Sequence, residues 1–590
     1  MTLNRTWQRV ITLILFCVLC AFSVIRAVSE LKLSPDSSSY ITAAQNLIRT
    51  GHVFVYTNYP SESMEPSTEP YTEQPVGFPL YLVIFLSVLK QPFVAAAAAQ
   101  AFSIVIFYGA VWALTQDFRV EPGFQFACGL AITLFRPLTF VYTYLWSETL
   151  FTALILWVIH FLLTARVSRK PRITLLLALG LAAAATATRS IGILTLGIFI
   201  VVAWHQPTIL HSKKSSLAWI GLSFLFTLGP LVAWSLRNQI LYGSISMTHI
   251  VQTRFNFTTL LQPFNYLLDM AGSIPFTRLL IAGFSLLCMI SPFLVPGRFG
   301  MGDWRFKTDF TKIRYGTLLL GLFGIALIAA GLTADQFGFG GPSGIGLKQS
   351  AMIYLGILSM LAAWLGNTNI LERVRAWKKN YDWSWWKSQF GYGYLLLLLG
   401  GLCYLFGIVV LSLVTPFSTL EDRLLAPSLA LLLLAVLMGL YQLAGLGRKP
   451  RFALGVYTLA LVLAVASPAV VKENIIFQPG FHFPPEQQLW QELSTYPGIS
   501  RVTHFYTDTN FTHQIYARRP QRVISFVDSL NQGGYLDSLM SKGTCPFVLV
   551  NAGDSMSELM RQVYQGSGLT RYVLMDGRFE LYARNCLFSP

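Results

Sequence analysis

The sequence contains few charged residues. Of its 590 residues, 12% are Asp, Glu, Lys or Arg, against about 25% in a typical soluble domain. This scarcity argues against a soluble enzyme, a disordered tail and a coiled coil. Acidic residues are the scarcer kind, with 27 Asp and Glu against 43 Lys and Arg.

Residues that bind metals and nucleotides are also sparse or poorly placed. His249, His482, His504 and His513 are scattered along the chain, which argues against a zinc site. The glycine-rich segment 337–346 follows no predicted strand and opens no predicted soluble helix, so it does not indicate a dinucleotide or P-loop site. No metal-ligand cluster is visible, and we expect no cofactor and no obligatory divalent metal.

Apolar residues dominate instead. They make up 54% of the chain, the mean hydropathy is +0.54, and apolar runs of about 20 residues recur, the length that crosses a bilayer. The basic residues cluster in the short loops between these runs, which is typical of cytoplasmic loops of membrane proteins. The basic excess therefore indicates membrane orientation and lipid contact, with no nucleic-acid partner.

The charge pattern predicts about 13 transmembrane helices, with the N-terminus in the cytoplasm. The predicted spans are 10–28, 93–115, 124–142, 149–165, 173–188, 190–205, 216–235, 278–297, 315–333, 349–365, 391–414, 424–444 and 452–470. The run 76–89 is too short to cross comfortably, so we predict a helix in the outer interface; an ordinary short span is the alternative. A bacterial cytoplasmic (inner) membrane is the expected location.

Two domains follow from this topology. Residues 1–470 form the transmembrane domain, with a long first outer loop at 29–92, and residues 471–590 form a small extracytoplasmic α/β domain. The fold class is thus a polytopic α-helical membrane protein with a soluble C-terminal domain. Cys545 and Cys586 are the cysteines of that domain, and we predict a disulfide between them because an extracytoplasmic compartment is oxidising; two free thiols are the alternative.

Two carboxylates are candidates for acid or base chemistry. Asp36 lies in the first outer loop just before a predicted helix, which it or one of the neighbouring serines would cap, so that Asp36 could simply be the N-cap. Glu148 begins the fourth predicted span, where the helix dipole favours an acid. A carboxylate that enters hydrocarbon is costly without a cavity or a partner. Two of them on the same membrane face favour an active site over two unrelated helix starts.

Arginines collect at the same predicted level of the membrane. They are Arg136, Arg189, Arg237 and Arg423. Each alone is explained by contact with lipid headgroups, but outer loops are usually poor in basic residues, and Arg holds phosphate with two parallel hydrogen bonds. Together they indicate a ligand that carries phosphate, and a lipid tail would bring that ligand to the site laterally.

Several short motifs lie in or beside the predicted helices. They are Pro35-Asp36-Ser37-x-x-Tyr40, Gln74-Pro75 with a following Pro-Leu-Tyr, Ser147-Glu148, Arg237-Asn238 with Gly243, and Arg423 leading into Leu-x-x-Pro. Together they resemble the GT-C glycosyltransferases, and more narrowly the group of dolichyl-phosphate-mannose protein mannosyltransferases and aminoarabinose lipid A transferases. The likeness extends over about residues 1–445. Where many mannosyl members have an Asp-Glu pair, this chain has Asp36-Ser37, which leaves the donor sugar open.

The resemblance implies transfer of a sugar from a polyprenyl-phosphate carrier to a glycan, lipid or protein acceptor at the extracytoplasmic face. On this hypothesis Asp36 is the general base, and Glu148 orients the acceptor or a neighbouring cation. Arg237, with Arg189 or Arg423, stabilises the leaving phosphate. Tyr40 and Asn238 are candidate substrate-binding residues within the same motifs.

Two other functions remain open from the sequence. A transporter or flippase of a lipid-linked or anionic substrate would also use ionisable residues near the membrane, although no internal repeat is visible. A non-catalytic scaffold that presents the C-terminal domain is the third.

Overall fold

The computed structural model describes the chain in several stretches. They are residues 5–56, 68–72, 74–165, 167–205, 213–242, 389–414 and 422–446, and the short strands 504–507, 522–525, 546–551, 570–574 and 579–583. The predicted spans 278–297, 315–333, 349–365 and 452–470 lie outside the described residues, as do Cys545 and Cys586. The count of 13 spans and the disulfide therefore stay predictions.

The described part of the transmembrane domain is helical. Its helices are α1 (Arg5–Ser29), α2 (Pro35–Thr50), α3 (Gly77–Leu89), α4 (Pro92–Asp117), α5 (Pro122–Leu134), α6 (Arg136–Tyr142), α7 (Ser147–Ala165), α8 (Pro171–Thr188), a 3₁₀ helix (Ser190–Leu194), α9 (Thr195–His205), α10 (Lys213–Tyr242), α11 (Gln389–Val414) and α12 (Asp422–Leu446). Strands β1 (Phe54–Tyr56) and β2 (Thr68–Pro70) form an antiparallel pair after α2.

Five segments of the described helices are long and apolar enough to cross a membrane: Thr6–Ser29, Pro92–Asp117, Ser147–Ala165, Pro171–Thr188 and Ala218–Leu241. They coincide with predicted spans. The chain is an integral membrane protein with a mostly helical fold. The side of the membrane on which each loop lies stays a prediction.

One predicted span is broken in the structure. Residues 124–142 were expected to form a single helix, but α5 ends at Leu134 and α6 begins at Arg136, with Phe135 in an extended conformation between them. Pro137 explains the break, because a proline ring disfavours helical geometry in the residues before it and fits the first turn of a new helix. The single-span prediction for 124–142 is wrong in this respect.

Helix α3 occupies the short apolar run after the first loop. It has 13 residues, which is about 20 Å at 1.5 Å per residue, less than a bilayer core of about 30 Å. Its first residue, Gly77, lies so close to the end of α8 that an added Cβ would be 2.5 Å from the carbonyl oxygen of Ala187. Only glycine permits this approach, which holds the start of α3 beside the segment that leads to Arg189.

Helix α7 lies at the centre of the described bundle. Nearly all of its side chains are buried, and it packs against α4, α8, α11 and α12. A helix that is apolar on every side is expected in the interior of a membrane bundle. The first turn of α7 therefore brings Glu148 to a place where several helices meet.

The described C-terminal strands form one five-stranded sheet. They are β3 (His504–Thr507), β4 (Arg522–Ser525), β5 (Pro546–Asn551), β6 (Thr570–Leu574) and β7 (Phe579–Ala583), in the order β4-β3-β5-β7-β6. Strand β3 pairs in parallel with β4 and β5, and β7 runs antiparallel to β5 and β6. Strands β6 and β7 pair along their whole length, from Thr570 opposite Ala583 to Leu574 opposite Phe579.

Candidate active site

Asp36 lies in the first turn of α2 but is not its cap. Ser34 is the N-cap: its side chain accepts a hydrogen bond from the backbone N–H of Ser37, and the Ser37 hydroxyl accepts one from the backbone N–H of Ser34. This reciprocal arrangement satisfies the helix start without Asp36. The N-cap alternative for Asp36 is therefore wrong, and its carboxylate is available for another contact.

That contact is an ion pair with Arg423, which is 387 residues away along the chain. The Arg423 Nη2 group donates to Oδ2 of Asp36. The Asp36 side chain keeps 29% of its surface exposed, so a ligand can reach it.

Glu148 is the second acid of the same cluster. It lies in the first turn of α7 with its side chain only 1% exposed. Its Oε1 accepts from Nε of Arg423 at 2.6 Å and forms an ion pair with Nη1 of Arg189. A buried carboxylate is stable only with such partners, so two arginines hold Glu148 in place.

Arg189 reaches the cluster from the end of α8. It is the C-cap of that helix, has an extended backbone, and precedes the 3₁₀ helix. Its Nη1 group also lies 3.3 Å from the Ser147 hydroxyl. Burial alone would lower the pKa of the Arg189 guanidinium, but the Glu148 carboxylate, together with Tyr404 and Tyr40, outweighs burial and the pKa is raised. Arg189 is thus a fixed cation.

Arg423 joins the two acids. It begins α12, where its guanidinium lies between Asp36 and Glu148 and 4.8 Å from the centre of the Trp146 ring. Such a cation–π contact helps to fix the orientation of an arginine. The indole N–H of Trp146 donates to the Ser34 hydroxyl at 2.7 Å. Trp146 therefore connects Arg423 to the N-cap of the helix that carries Asp36.

Tyr40 extends the cluster on the α2 side. It lies one turn after Asp36 and is buried, with its hydroxyl bonded to Oε1 of Gln74 and 3.4 Å from the Ser147 hydroxyl. Burial raises the pKa of Tyr40, and the Asp36 carboxylate raises it further. The hydroxyl stays protonated at neutral pH and acts as a donor.

The charges of this group balance. We call Asp36, Glu148, Arg189 and Arg423 the acid–arginine cluster. It contains two carboxylates and two guanidinium groups joined by direct ion pairs. Each guanidinium has five N–H donors. The contacts between described residues use two nitrogens of Arg423 and one of Arg189, so N–H groups remain for a ligand.

Arg237 and Asn238 lie near the end of α10 in a second polar group. Arg237 donates from Nη1 to the amide oxygen of Asn238 at 2.7 Å and lies over the Trp234 ring, 4.4 Å from its centre. The Nδ2 group of Asn238, which is fully buried, and the buried indole N–H of Trp234 have no hydrogen-bond partner among the described residues. Trp234 and Asn238 are four residues apart and share a helix face. We call Trp234, Arg237 and Asn238 the α10 donor group.

Sequence reasoning identified the charged residues together with Tyr40 and Asn238, but assigned no role to other neutral residues around the cluster. Ser147 and Trp146 contact the two arginines, while Gln74 is bonded to Tyr40 and Ser34 to Trp146. Neutral polar and aromatic residues are too common in membrane proteins to stand out. The N-cap is one of the serines that the sequence offers for this role, directly before Pro35 and a helical stretch. Within the described residues no group of three His, Cys, Asp or Glu side chains could hold a metal; independence from metal stays a prediction.

The chain was compared with known proteins. No family model and no curated protein sequence matches it. Several solved structures are similar over nearly the whole chain. ArnT from Cupriavidus metallidurans, bound to undecaprenyl phosphate, has 15% sequence identity and a TM-score of 0.42, covering 98% of this chain and 99% of that one.

Two further structures are similar to a comparable degree. Arabinofuranosyltransferase AftD from Mycobacteria has 13% identity and a TM-score of 0.47, covering 99% of this chain and 42% of its own. The oligosaccharyltransferase AglB from Archaeoglobus fulgidus, in complex with an inhibitory peptide and a dolichol-phosphate, has 12% identity and a TM-score of 0.45, covering 98% of this chain and 75% of its own. All three are similarities of structure at low sequence identity.

Proposed function

We propose that the protein is a membrane glycosyltransferase that moves a sugar from a polyprenyl-phosphate carrier to an acceptor at the extracytoplasmic face of the membrane. One observation carries the proposal. Asp36, from the first loop, and Glu148, from the start of α7, meet at the same arginine, Arg423. Two acids and two arginines in one partly open cluster suit the transfer of a group from a phosphate leaving group.

Asp36 is the general base in this mechanism. It is the accessible acid of the two, with 29% of its side chain exposed against 1% for Glu148. Its carboxylate takes the proton of an acceptor hydroxyl or amine as that group forms a bond to the anomeric carbon. The bond from that carbon to the phosphate oxygen breaks, and the lipid phosphate leaves with the electron pair. A single displacement inverts the anomeric configuration.

Glu148 acts by holding the arginines. Because it is buried and bonded to both Arg189 and Arg423, it is poorly placed to exchange protons with a substrate. Its negative charge allows two guanidinium groups to lie close together. It also fixes the orientation of those N–H groups that make no contact among the described residues. Glu148 is therefore a positioning residue of the proposed active site, in agreement with the orienting role expected from the sequence.

The lipid phosphate is proposed to lie between the arginines and the α10 donor group. The unpartnered N–H groups of Trp234 and Asn238 require an acceptor, because a buried donor without one costs about 1–3 kcal/mol. Arg237 beside them adds a positive charge. Phosphate oxygens supply both the acceptor atoms and the negative charge, and Arg189 and Arg423 would face the same group from the other side.

A transporter of a lipid-linked substrate is the competing function. It would need ionisable residues along a path through the membrane. The described bundle contains a His160–Asp117 pair, with Nδ1 and Oδ2 2.6 Å apart. Asp117 is the last residue of α4, so this pair lies at a helix end and not near the bilayer midplane. The acid–arginine cluster favours interfacial chemistry.

The proposal is tested with purified protein in proteoliposomes and a panel of polyprenyl-phosphate donors, each with a radiolabelled sugar, together with lipid, glycan and peptide acceptors. A transferase leaves the label in a new covalent linkage, with free lipid phosphate as the second product. A transporter moves the label across the bilayer while it stays on its original carrier. The second result, or no reaction with any donor, overturns the proposal.

A further inference from the structure

Tyr404 is a buried residue of the apolar helix α11. Its side chain is 1% exposed. Among the described residues its hydroxyl has no hydrogen-bond partner. Buried hydroxyl groups are nearly always bonded, and an exception in an otherwise packed bundle needs an explanation.

Three contacts place Tyr404 beside the acid–arginine cluster. Its ring lies 5.7 Å from that of Phe151, which is one turn after Glu148 on α7. Gly407, on the same face of α11, is so close to Leu194 that an added Cβ would be 2.8 Å from that side chain. Leu194 ends the 3₁₀ helix that follows Arg189.

Contacts with α12 also place Tyr404 beside the acid–arginine cluster. The Ser428 hydroxyl, little more than one turn after Arg423, donates at 2.8 Å to the carbonyl oxygen of Gly401, one turn before Tyr404. Tyr404 is close enough to Arg189, Glu148 and Arg423 to interact with their charges. These contacts place Tyr404 beside the cluster, where α11 packs against α7, α12 and the 3₁₀ helix.

We propose that the Tyr404 hydroxyl binds a hydroxyl group of the sugar that is transferred, and so helps to select the donor. The inference rests on the proposed function. The ion pairs leave the acid–arginine cluster with no net charge, so the surroundings of Tyr404 suit a neutral polar group better than a second anion. A tyrosine hydroxyl both donates and accepts, as does a sugar hydroxyl.

This assignment separates two parts of the donor. The α10 donor group, which offers N–H groups and a positive charge, takes the phosphate, while Tyr404 takes the sugar. Sites that hydrogen-bond a substrate hydroxyl discriminate strongly against analogues that lack it, because the protein group is then left unpaired. Tyr404 is therefore a specificity-determining residue.

The test compares Tyr404→Phe with wild type, using the active donor from the panel and undecaprenyl phosphate as a probe that lacks sugar. We expect kcat/KM for the donor to fall about 10-fold, the effect of one lost hydrogen bond, while inhibition by undecaprenyl phosphate is unchanged. The unfolding temperature should not fall, because the variant removes a hydroxyl that has no partner in the described structure. Tyr142→Phe is the matched control, since Tyr142 is another buried tyrosine with an unpartnered hydroxyl among the described residues.

A second measurement varies the donor. Donors that each lack one sugar hydroxyl are compared on the wild-type protein. One of them should react about 10-fold more slowly than the full donor. Tyr404→Phe should transfer from this analogue and from the full donor at equal rates. Equal losses for donor and undecaprenyl phosphate, an unchanged kcat/KM, or the same loss in Tyr142→Phe would each overturn the inference and leave the proposed function standing. Failure of the wild type to transfer from any donor would overturn both.

Discussion

At the scale of single residues, the site depends on the charge of Glu148. Arg189 and Arg423 are both mostly buried, with 16% and 19% of their side chains exposed. The carboxylate between them is what allows two guanidinium groups to lie so close. A buried charge without its partner typically costs about 3–5 kcal/mol, so we expect the charge of Glu148 to contribute to folding and, in the proposed function, to transfer.

The variant Glu148→Gln is therefore expected to lower both the unfolding temperature in detergent and the transfer rate. Glu121→Gln is the matched control, because Glu121 is an exposed acid whose side chain makes no capping hydrogen bond at the start of α5. The double variant Glu148→Gln/Arg189→Gln removes one charge of each sign and should recover part of the lost stability without recovering activity. A Glu148→Gln protein as stable as Glu121→Gln would show that the described ion pairs do not form.

Residue identity alone predicted part of this arrangement. Acids and arginines near apolar segments are conspicuous, so Asp36, Glu148, Arg189 and Arg423 could be named from the sequence. Their pairing could not be, because Arg423 contacts acids that are 275 and 387 residues away and a single sequence carries no local signal for such contacts. Tyr404 was missed because a tyrosine in an apolar run looks like any other core residue.

At the scale of elements, the position of Asp36 is set by the start of α2. Ser34 caps the helix, and its hydroxyl also accepts the indole N–H of Trp146. The same serine therefore holds the helix start and fixes the ring that supports Arg423. The helix is further defined by Pro35 in its first turn and by Gly51, a C-cap with φ +74° that favours glycine.

Ser34→Ala should destabilise α2 by about 1 kcal/mol and also leave the Trp146 indole without its acceptor. We expect slower transfer, because the helix that carries Asp36 frays, and a lower unfolding temperature. Ser34→Thr retains the hydroxyl and should restore most of both. Wild-type activity in Ser34→Ala would contradict the positioning role of this cap.

Element boundaries were predictable where a local signal exists. The helices over the described apolar runs begin and end within seven residues of the expected spans, because apolar length is a strong signal. The exception is the break at Phe135, where Pro137 is a local helix-breaking signal. For α3, the close approach of Gly77 to α8 depends on tertiary packing, which hydrophobic periodicity does not reveal.

At the scale of the whole molecule, the proposed mechanism needs Asp36 and Arg237 on the same side of the membrane. The acid–arginine cluster joins α2, α7, α12 and the end of α8 by direct contacts, whereas the α10 donor group is assigned to the same substrate by its chemistry. The predicted topology puts both at the extracytoplasmic face.

Membrane-impermeant thiol labelling tests this sidedness. Asp36→Cys and Arg237→Cys are made in a background without native cysteines and labelled in intact cells. We expect both to react from outside. Lys213→Cys, at the predicted cytoplasmic end of α10, should react only after the membrane is opened. Labelling of positions 36 and 237 from opposite sides would exclude a common substrate site.

In the proposed mechanism Asp36 is the base that takes the proton of the acceptor. The most direct test measures the single-turnover transfer rate of Asp36→Asn with saturating donor, with Glu121→Gln as control. Asparagine retains the size of the side chain but cannot take the proton, so the rate should fall by about 100-fold or more, while the dissociation constant of undecaprenyl phosphate changes little. Transfer by Asp36→Asn at a rate close to that of Glu121→Gln would contradict the mechanism.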